Sequence, residues 1–182
     1  VTSTRTATGR YTVMLPAMAV TGGNVQLTSF ETASTCRAAS WAVNGVDEVI
    51  TVACNDAAGA AVDRKFDVLF LDKLGLEGWG GGPAAHLVAT KPKAASYSAP
   101  APYAYNSKGK AISILRGSVG NYTVILNGMP AGGAAMVTPY GTGTAKCQLS
   151  SLGTKVPMKA IVRCFTTTGA AVDAKFSLAY TK

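Results

Sequence analysis

Apolar and polar residues alternate one for one through several short stretches of the chain. Tyr11, Val13 and Leu15 do so, as do Ile50, Val52 and Cys54, Phe66, Val68 and Phe70, Tyr122, Val124 and Leu126, and Phe176, Leu178 and Tyr180. Successive side chains of an extended strand point to opposite faces, so a period of two buries one face and wets the other. These runs are rich in Val, Thr, Tyr and Phe and are separated by clusters such as Val20-Thr21-Gly22-Gly23-Asn24, the punctuation of short antiparallel strands joined by turns. No segment carries a convincing helical period. The pattern predicts an all-β protein of antiparallel, β-sandwich-like architecture.

The alternation occurs twice. Gly9-Arg10-Tyr11-Thr12-Val13-Met14-Leu15 returns as Gly120-Asn121-Tyr122-Thr123-Val124-Ile125-Leu126, and Gly59-Ala60-Ala61-Val62-Asp63-Arg64-Lys65-Phe66 as Gly169-Ala170-Ala171-Val172-Asp173-Ala174-Lys175-Phe176. Between these blocks Met18 matches Met129, Gly22-Gly23 matches Gly132-Gly133, Cys36 matches Cys147 and Cys54 matches Cys164. An ordered series of this kind marks a tandem duplication of one module. The boundary is expected near Pro92, with residues 1–91 forming copy one and residues 92–182 copy two. On this division copy one ends with a Gly-rich loop at 74–83 and a trailing strand at 85–90. Residues 92–102, rich in Ala, Ser and Pro, read as an extended connector.

Four cysteines, two per copy at matching places, allow three pairings, and the repeat selects one: Cys36 with Cys54 and Cys147 with Cys164. Each such loop would stabilise a small module by about 3 kcal/mol. A metal site would need closely spaced ligand pairs, and the only histidine, His86, stands far from any such spacing. Disulfides imply an oxidising compartment and hence a secreted or cell-surface protein.

Composition sharpens this reading. Of 182 residues, 48% are hydrophobic and 14% charged, which fits a packed globular chain. No apolar run reaches the roughly 18 residues of a membrane-spanning helix, so no membrane insertion is expected, and the start at Val1-Thr2-Ser3 reads as processed or trimmed. The net charge of +8 is uneven: residues 1–91 hold seven Lys and Arg against eight Asp and Glu, whereas residues 92–182 hold ten against the single Asp173. The second copy could therefore meet an anionic polymer, although its cations are scattered without a basic run and read first as a solvated surface.

Candidate chemistry is sparse. Asp63 and Asp173 are twins, but each sits in a Gly-Ala-Ala-Val-Asp turn ahead of a strand, where a carboxylate most simply accepts backbone N–H groups or pairs with a cation. His86 lies in an apolar stretch with no acid nearby in sequence and reads as a partly buried structural residue. The glycine clusters lack the Lys and helix of a phosphate-binding loop, and neither a metal nor a cofactor is implied. Trp41 reads as core, while Trp79, between glycines, and Tyr97, Tyr103 and Tyr105, spaced through the connector, are the candidate contact residues for a ligand. Without interleaved basic residues they do not form a nucleic-acid platform. Asn121-Tyr122-Thr123 matches a glycosylation acceptor but falls in an expected strand.

At Tyr103-Ala104-Tyr105-Asn106-Ser107, the Gly9 to Val13 block, the Cys36 to Trp41 stretch, Cys54 and the Gly59 to Phe66 block, the chain resembles a repeat module of secreted proteins of soil bacteria. Copy two departs from the pattern at Asn127, where copy one has Pro16, and at Leu152, where the pattern has Trp. The resemblance implies secretion and tandem architecture, including longer arrays, and carries no activity or site residue. The function expected is that of a noncatalytic binding or adhesion module, secreted or on the cell surface, engaging an unknown protein or polysaccharide. Two further readings are a secreted enzyme inhibitor presenting the 74–83 loop and a binder of anionic polymers through the second copy; an enzyme would require His86 to meet an acid and a nucleophile in space.

Overall fold

The computed structural model describes residues 1–30, 34–73 and 81–182, and every regular element among them is a strand. Copy one supplies β1 (Thr2–Ala7), β2 (Arg10–Leu15), β3 (Asn24–Ser29), β4 (Ser34–Asn44), β5 (Asp47–Asp56) and β6 (Phe66–Leu71). Then come β7 (Ala84–Ala89), β8 (Ser96–Ser98) and β9 (Ala104–Asn106). Copy two supplies β10 (Ile112–Ser118), β11 (Asn121–Leu126), β12 (Ala134–Pro139), β13 (Lys146–Leu152), β14 (Met158–Phe165) and β15 (Phe176–Thr181).

The two copies share one wiring. Copy one pairs its strands as β1-β2-β5-β4 and β3-β6; copy two repeats this as β10-β11-β14-β13 and β12-β15. Even the irregularities recur, with a bulge at Ala38/Ser40 in β4 and another at Leu149/Ser151 in β13. The cysteines sit directly opposite each other on neighbouring strands, Cys36 beside Cys54 and Cys147 beside Cys164, with Cα atoms 4.0 and 4.1 Å apart. Both bridges are formed, in the pairing that the repeat selects.

Copy two is larger than its twin because β7, β8 and β9 belong to it. The strand at 84–89, expected to trail copy one, pairs with β15 on one side (Leu87 opposite Leu178) and with β9 on the other (His86 opposite Tyr105). The stretch expected to be a plain connector contains β8, which pairs with β10; its Tyr97 and the following Ala99 pack on the core. Ala and Ser dilute the apolar alternation there, so a three-residue edge strand leaves no period to detect.

Copy two's core fills the space between its two sheets: Ala85, Leu87 and Ala89 of β7 meet Ile112, Ile114, Tyr122, Val124, Leu126, Phe176, Leu178 and Tyr180. Copy one's core packs Val13, Leu15, Ile50, Val52 and Trp41 against Val25 and Leu27 of β3. Copy two helps to close it, through Val88 and the partly buried Tyr103 and Tyr140.

The copies stack through their second sheets, β3-β6 against β12-β15-β7-β9. All six residues of β7 and of β15 are buried, as a layer covered on both faces requires. The seam is polar on the β3 side. Asn24 donates to the Leu87 carbonyl (2.8 Å), and Gln26 donates to Asn24 Oδ1 (2.7 Å) and to Ser177 Oγ (3.2 Å). Thr138 donates to Gln26 Oε1 (2.9 Å) and accepts from Leu27 N–H (2.9 Å), while Ser177 donates to the Val25 carbonyl (2.6 Å). Each copy thus satisfies buried polar groups of the other, and this fixes their register.

Candidate functional site

The residues most clearly repeated in the sequence build a latch. Asp173 accepts two bonds from Arg116, Nε to Oδ1 at 2.9 Å and Nη2 to Oδ2 at 2.8 Å, and one from Gly120 N–H at 2.9 Å; the Tyr122 hydroxyl lies 3.1 Å away. Asp63 is held alike by Gly9 N–H (2.8 Å) and Tyr11 (3.1 Å), but its arginine, Arg5, reaches it through Nε alone, 3.0 Å from each oxygen. The tyrosine hydroxyls accept the N–H of the residue after each aspartate, Arg64 (3.1 Å) and Ala174 (3.2 Å). Gly9 and Gly120 have φ near +65°, and a Cβ on either would lie 2.5 Å from a backbone oxygen, of Cys54 or Cys164. The paired arginine, joined by the backbone N–H and the tyrosine, holds each carboxyl at about 2, well below its ordinary range. Both acids are fully engaged in tying the strand ends together, as their turn position predicts.

His86 is 2% exposed, and neither ring nitrogen has a partner. Burial alone pushes it down to about 4, so the ring is neutral at physiological pH. Tyr105 lies beside it, with ring centroids 5.5 Å apart. Among the described residues no cluster of three or more His, Cys, Asp or Glu could hold a metal ion, and no helix is long and apolar enough to cross a membrane.

The aromatic candidates do not converge. Tyr97 packs on copy two's core and accepts Lys91 N–H at 3.2 Å. Tyr103 stands at the seam, its ring 6.0 Å from that of Trp41, and Tyr105 neighbours His86. Trp41 is 6% exposed, donates to the Gly22 carbonyl (2.6 Å) and meets Tyr140 edge-on at 4.9 Å, the core role expected of it. Trp79 and most of the 74–83 loop lie outside the described residues. Asn121 opens β11, paired on both sides within its sheet.

Two features that the sequence reading did not single out stand out in space. The first is a cavity of about 400 Å³ where the copies meet, lined by Arg37 and Pro92, by the 139–145 turn and Thr166, and by residues 172–175. Arg37 is 4% exposed, and its Nη2 donates to Asn55 Oδ1. Burial lowers the basicity of its guanidinium, and Arg10 lowers it further by repulsion. Its counterpart in copy two is the exposed Gln148, so repeat symmetry gives no hint of this residue.

The second feature is a pair of open strand edges. In copy two, β15 and β10 are covered at their edges by β7 and β8. In copy one, among the described residues, β6 pairs only with β3 and β1 only with β2. The bond from Phe30 N–H to the Lys65 carbonyl (3.0 Å) sets the phase of the antiparallel ladder, so Asp67 and Leu69 face β3 while Phe66, Val68 and Phe70 turn their backbone groups outward. Their counterparts Phe176, Leu178 and Tyr180 turn the same groups to β7. All three of those are at most 1% exposed, whereas Phe66, Val68 and Phe70 are only partly buried.

Comparison with protein-family models, with curated proteins and with solved structures found no match.

Proposed function

We propose that the protein is a secreted, noncatalytic binding module that takes an extended strand of a partner polypeptide onto the open edges of copy one. The observation that carries this reading is the contrast between the copies. The same backbone groups are covered by β7 and β8 in copy two and are without a strand in copy one among the described residues. An unpaired edge presents a row of N–H and C=O groups that a further strand can satisfy, with side-chain pockets selecting its sequence. The occupant is a strand of the β7 type, short and built mainly of small and apolar residues, because that is what the equivalent edge accepts in copy two.

Two further observations support the reading. The disulfides suit an extracellular setting. The groups that hydrolysis or transfer would need are committed elsewhere, Asp63 and Asp173 to their arginines and His86 to a dry interior.

The test is the binding of a fluorescent synthetic peptide spanning residues 83–107 to the full chain, read by anisotropy. Saturable binding is expected, and Val68→Pro is expected to abolish it, because proline removes an outward N–H and leaves the ladder to β3 intact. Should Val68→Pro fail to fold, peptides N-methylated at alternate backbone positions replace it, and one of the two alternating sets is expected not to bind. Absence of saturable binding, or binding indifferent to both changes, overturns the reading.

A further inference from the structure

Arg37 combines three properties that a merely structural arginine does not need. It is almost fully buried, it has no carboxylate within ion-pairing distance among the described residues, and it borders a cavity wide enough for a small ligand. A guanidinium drawn largely out of bulk water is ordinarily retained with an anionic partner, because one amide oxygen returns little against a full charge. Asn55 supplies that one oxygen, and it is itself held by a bond from its Nδ2 to the Gly59 carbonyl at 2.7 Å. The charge that acts on Arg37 is Arg10, of the same sign.

The rest of the lining agrees in sign and chemistry. Lys175 contributes a second cation, and Thr142 and Thr144 stand on the lining with hydroxyl side chains, whereas the Thr166 hydroxyl is taken up by its own turn, bonded to Thr168 Oγ1 (2.9 Å) and Ala170 N–H (3.2 Å). The single acid, Asp173, is neutralised by its two bonds to Arg116. The 139–145 turn is fixed against copy one by the bond from Gly141 N–H to the Ala38 carbonyl (2.9 Å) and by Tyr140 packing on Trp41. The cavity walls are therefore preorganised by the seam itself.

We infer that this cavity is an oxyanion site in which Arg37, with Lys175 and the Thr142 and Thr144 hydroxyls, receives a carboxylate, sulfate or phosphate group carried by a ligand of sugar size or by one residue of an anionic polymer. Planar guanidinium donors match such groups two at a time, which gives selectivity over halide. The site is independent of the strand edges: its residues lie on β4, on the turn after β12 and on the segment before β15, so loss of peptide binding would leave it untouched.

The experiment follows thermal unfolding and amide chemical shifts of the full chain with sodium galacturonate, sulfate or phosphate, each against sodium chloride at matched ionic strength. Millimolar galacturonate, sulfate or phosphate should raise the unfolding temperature relative to chloride and shift the amides of residues 141–145. Arg37→Gln should weaken the response at least tenfold, while Lys155→Gln, remote from the cavity, should leave it unchanged. If Arg37→Gln does not fold, Lys175→Gln takes its place and should weaken binding severalfold. Preference for galacturonate identifies an acidic polysaccharide as the source, and preference for sulfate or phosphate identifies sulfated or phosphorylated polymers. No stabilisation beyond chloride, or a response unchanged in the cavity variants, overturns the inference.

Discussion

At the residue scale the titratable groups define how the fold responds to acid. His86 binds its proton near 4 in the folded chain and near its ordinary 6.5 when unfolded, because burial opposes the charged ring. The unfolded state therefore holds more protons between those values, and stability rises with pH across that window. Stability should be fully present above pH 6.5 and fall by about 3 kcal/mol as pH drops toward 4. Denaturant melts at pH 7 and pH 4.5 check this, and His86→Phe should remove most of the slope. The two latch aspartates act lower, since their lowered values make their contribution full above about 3.8 and lose it as pH falls toward 2. They differ in weight. The Asp173 side chain is 11% exposed and its twin Asp63 46%. Asp173→Asn should cost about 2 kcal/mol in chemical unfolding, and Asp63→Asn should cost less because water already screens that pair. Equal losses in the two variants would contradict this account.

At the element scale, what was legible in the sequence was what period and repetition encode. The strands around Val13, Ile50, Val124 and Leu178 announce themselves by alternation, and the disulfide pairing follows from the duplication. The turn aspartates were also legible, because a short carboxylate before a strand has few other uses. Pairing across long separations was not. Nothing in Ala84–Ala89 says that its partner is β15, some ninety residues on, because a short apolar strand fits any sheet with a free edge and the right cover. The β8 strand was missed because three residues carry no period. Arg37 could not be singled out because its importance comes from what copy two places over it, and its repeat partner is an exposed glutamine. The polar contacts of β3 illustrate the same limit: Asn24 and Gln26 look like the wet face of an edge strand and are in fact buried against the other copy. Thr138→Val tests that contact. It removes the acceptor for Leu27 N–H and the donor to Gln26 and should lower stability by about 2 kcal/mol, with little change in the far-ultraviolet circular dichroism spectrum, since no strand is lost.

At the scale of the whole molecule the duplication has become unequal. Copy two's core draws on β7 and on the strands from β10 onward, with no buried member from copy one among the described residues. Copy one's core includes Val88, and Tyr103 and Tyr140 pack against it. Its β1 is exposed along its whole length, whereas Ile112 and Ile114 of the equivalent β10 are at most 2% exposed. Dependence should therefore run one way. A fragment of residues 81–182 keeps both sheets, its disulfide and a closed core, and loses the polar cover of β3 together with the contacts of Val88, Tyr103, Tyr140 and Gly141 with copy one. A fragment of residues 1–80 keeps its disulfide but leaves Trp41 without Tyr103 and Tyr140 and its core without Val88, in a module small enough for such losses to be decisive. Expressed separately under oxidising conditions, the first should give dispersed amide spectra and a cooperative melt, and the second should not; mixing the two should restore structure in the first copy. A cooperatively folded 1–80 fragment beside a collapsed 81–182 fragment would reverse the dependence and leave the packing of Val88, Tyr103 and Tyr140 on copy one as incidental contact.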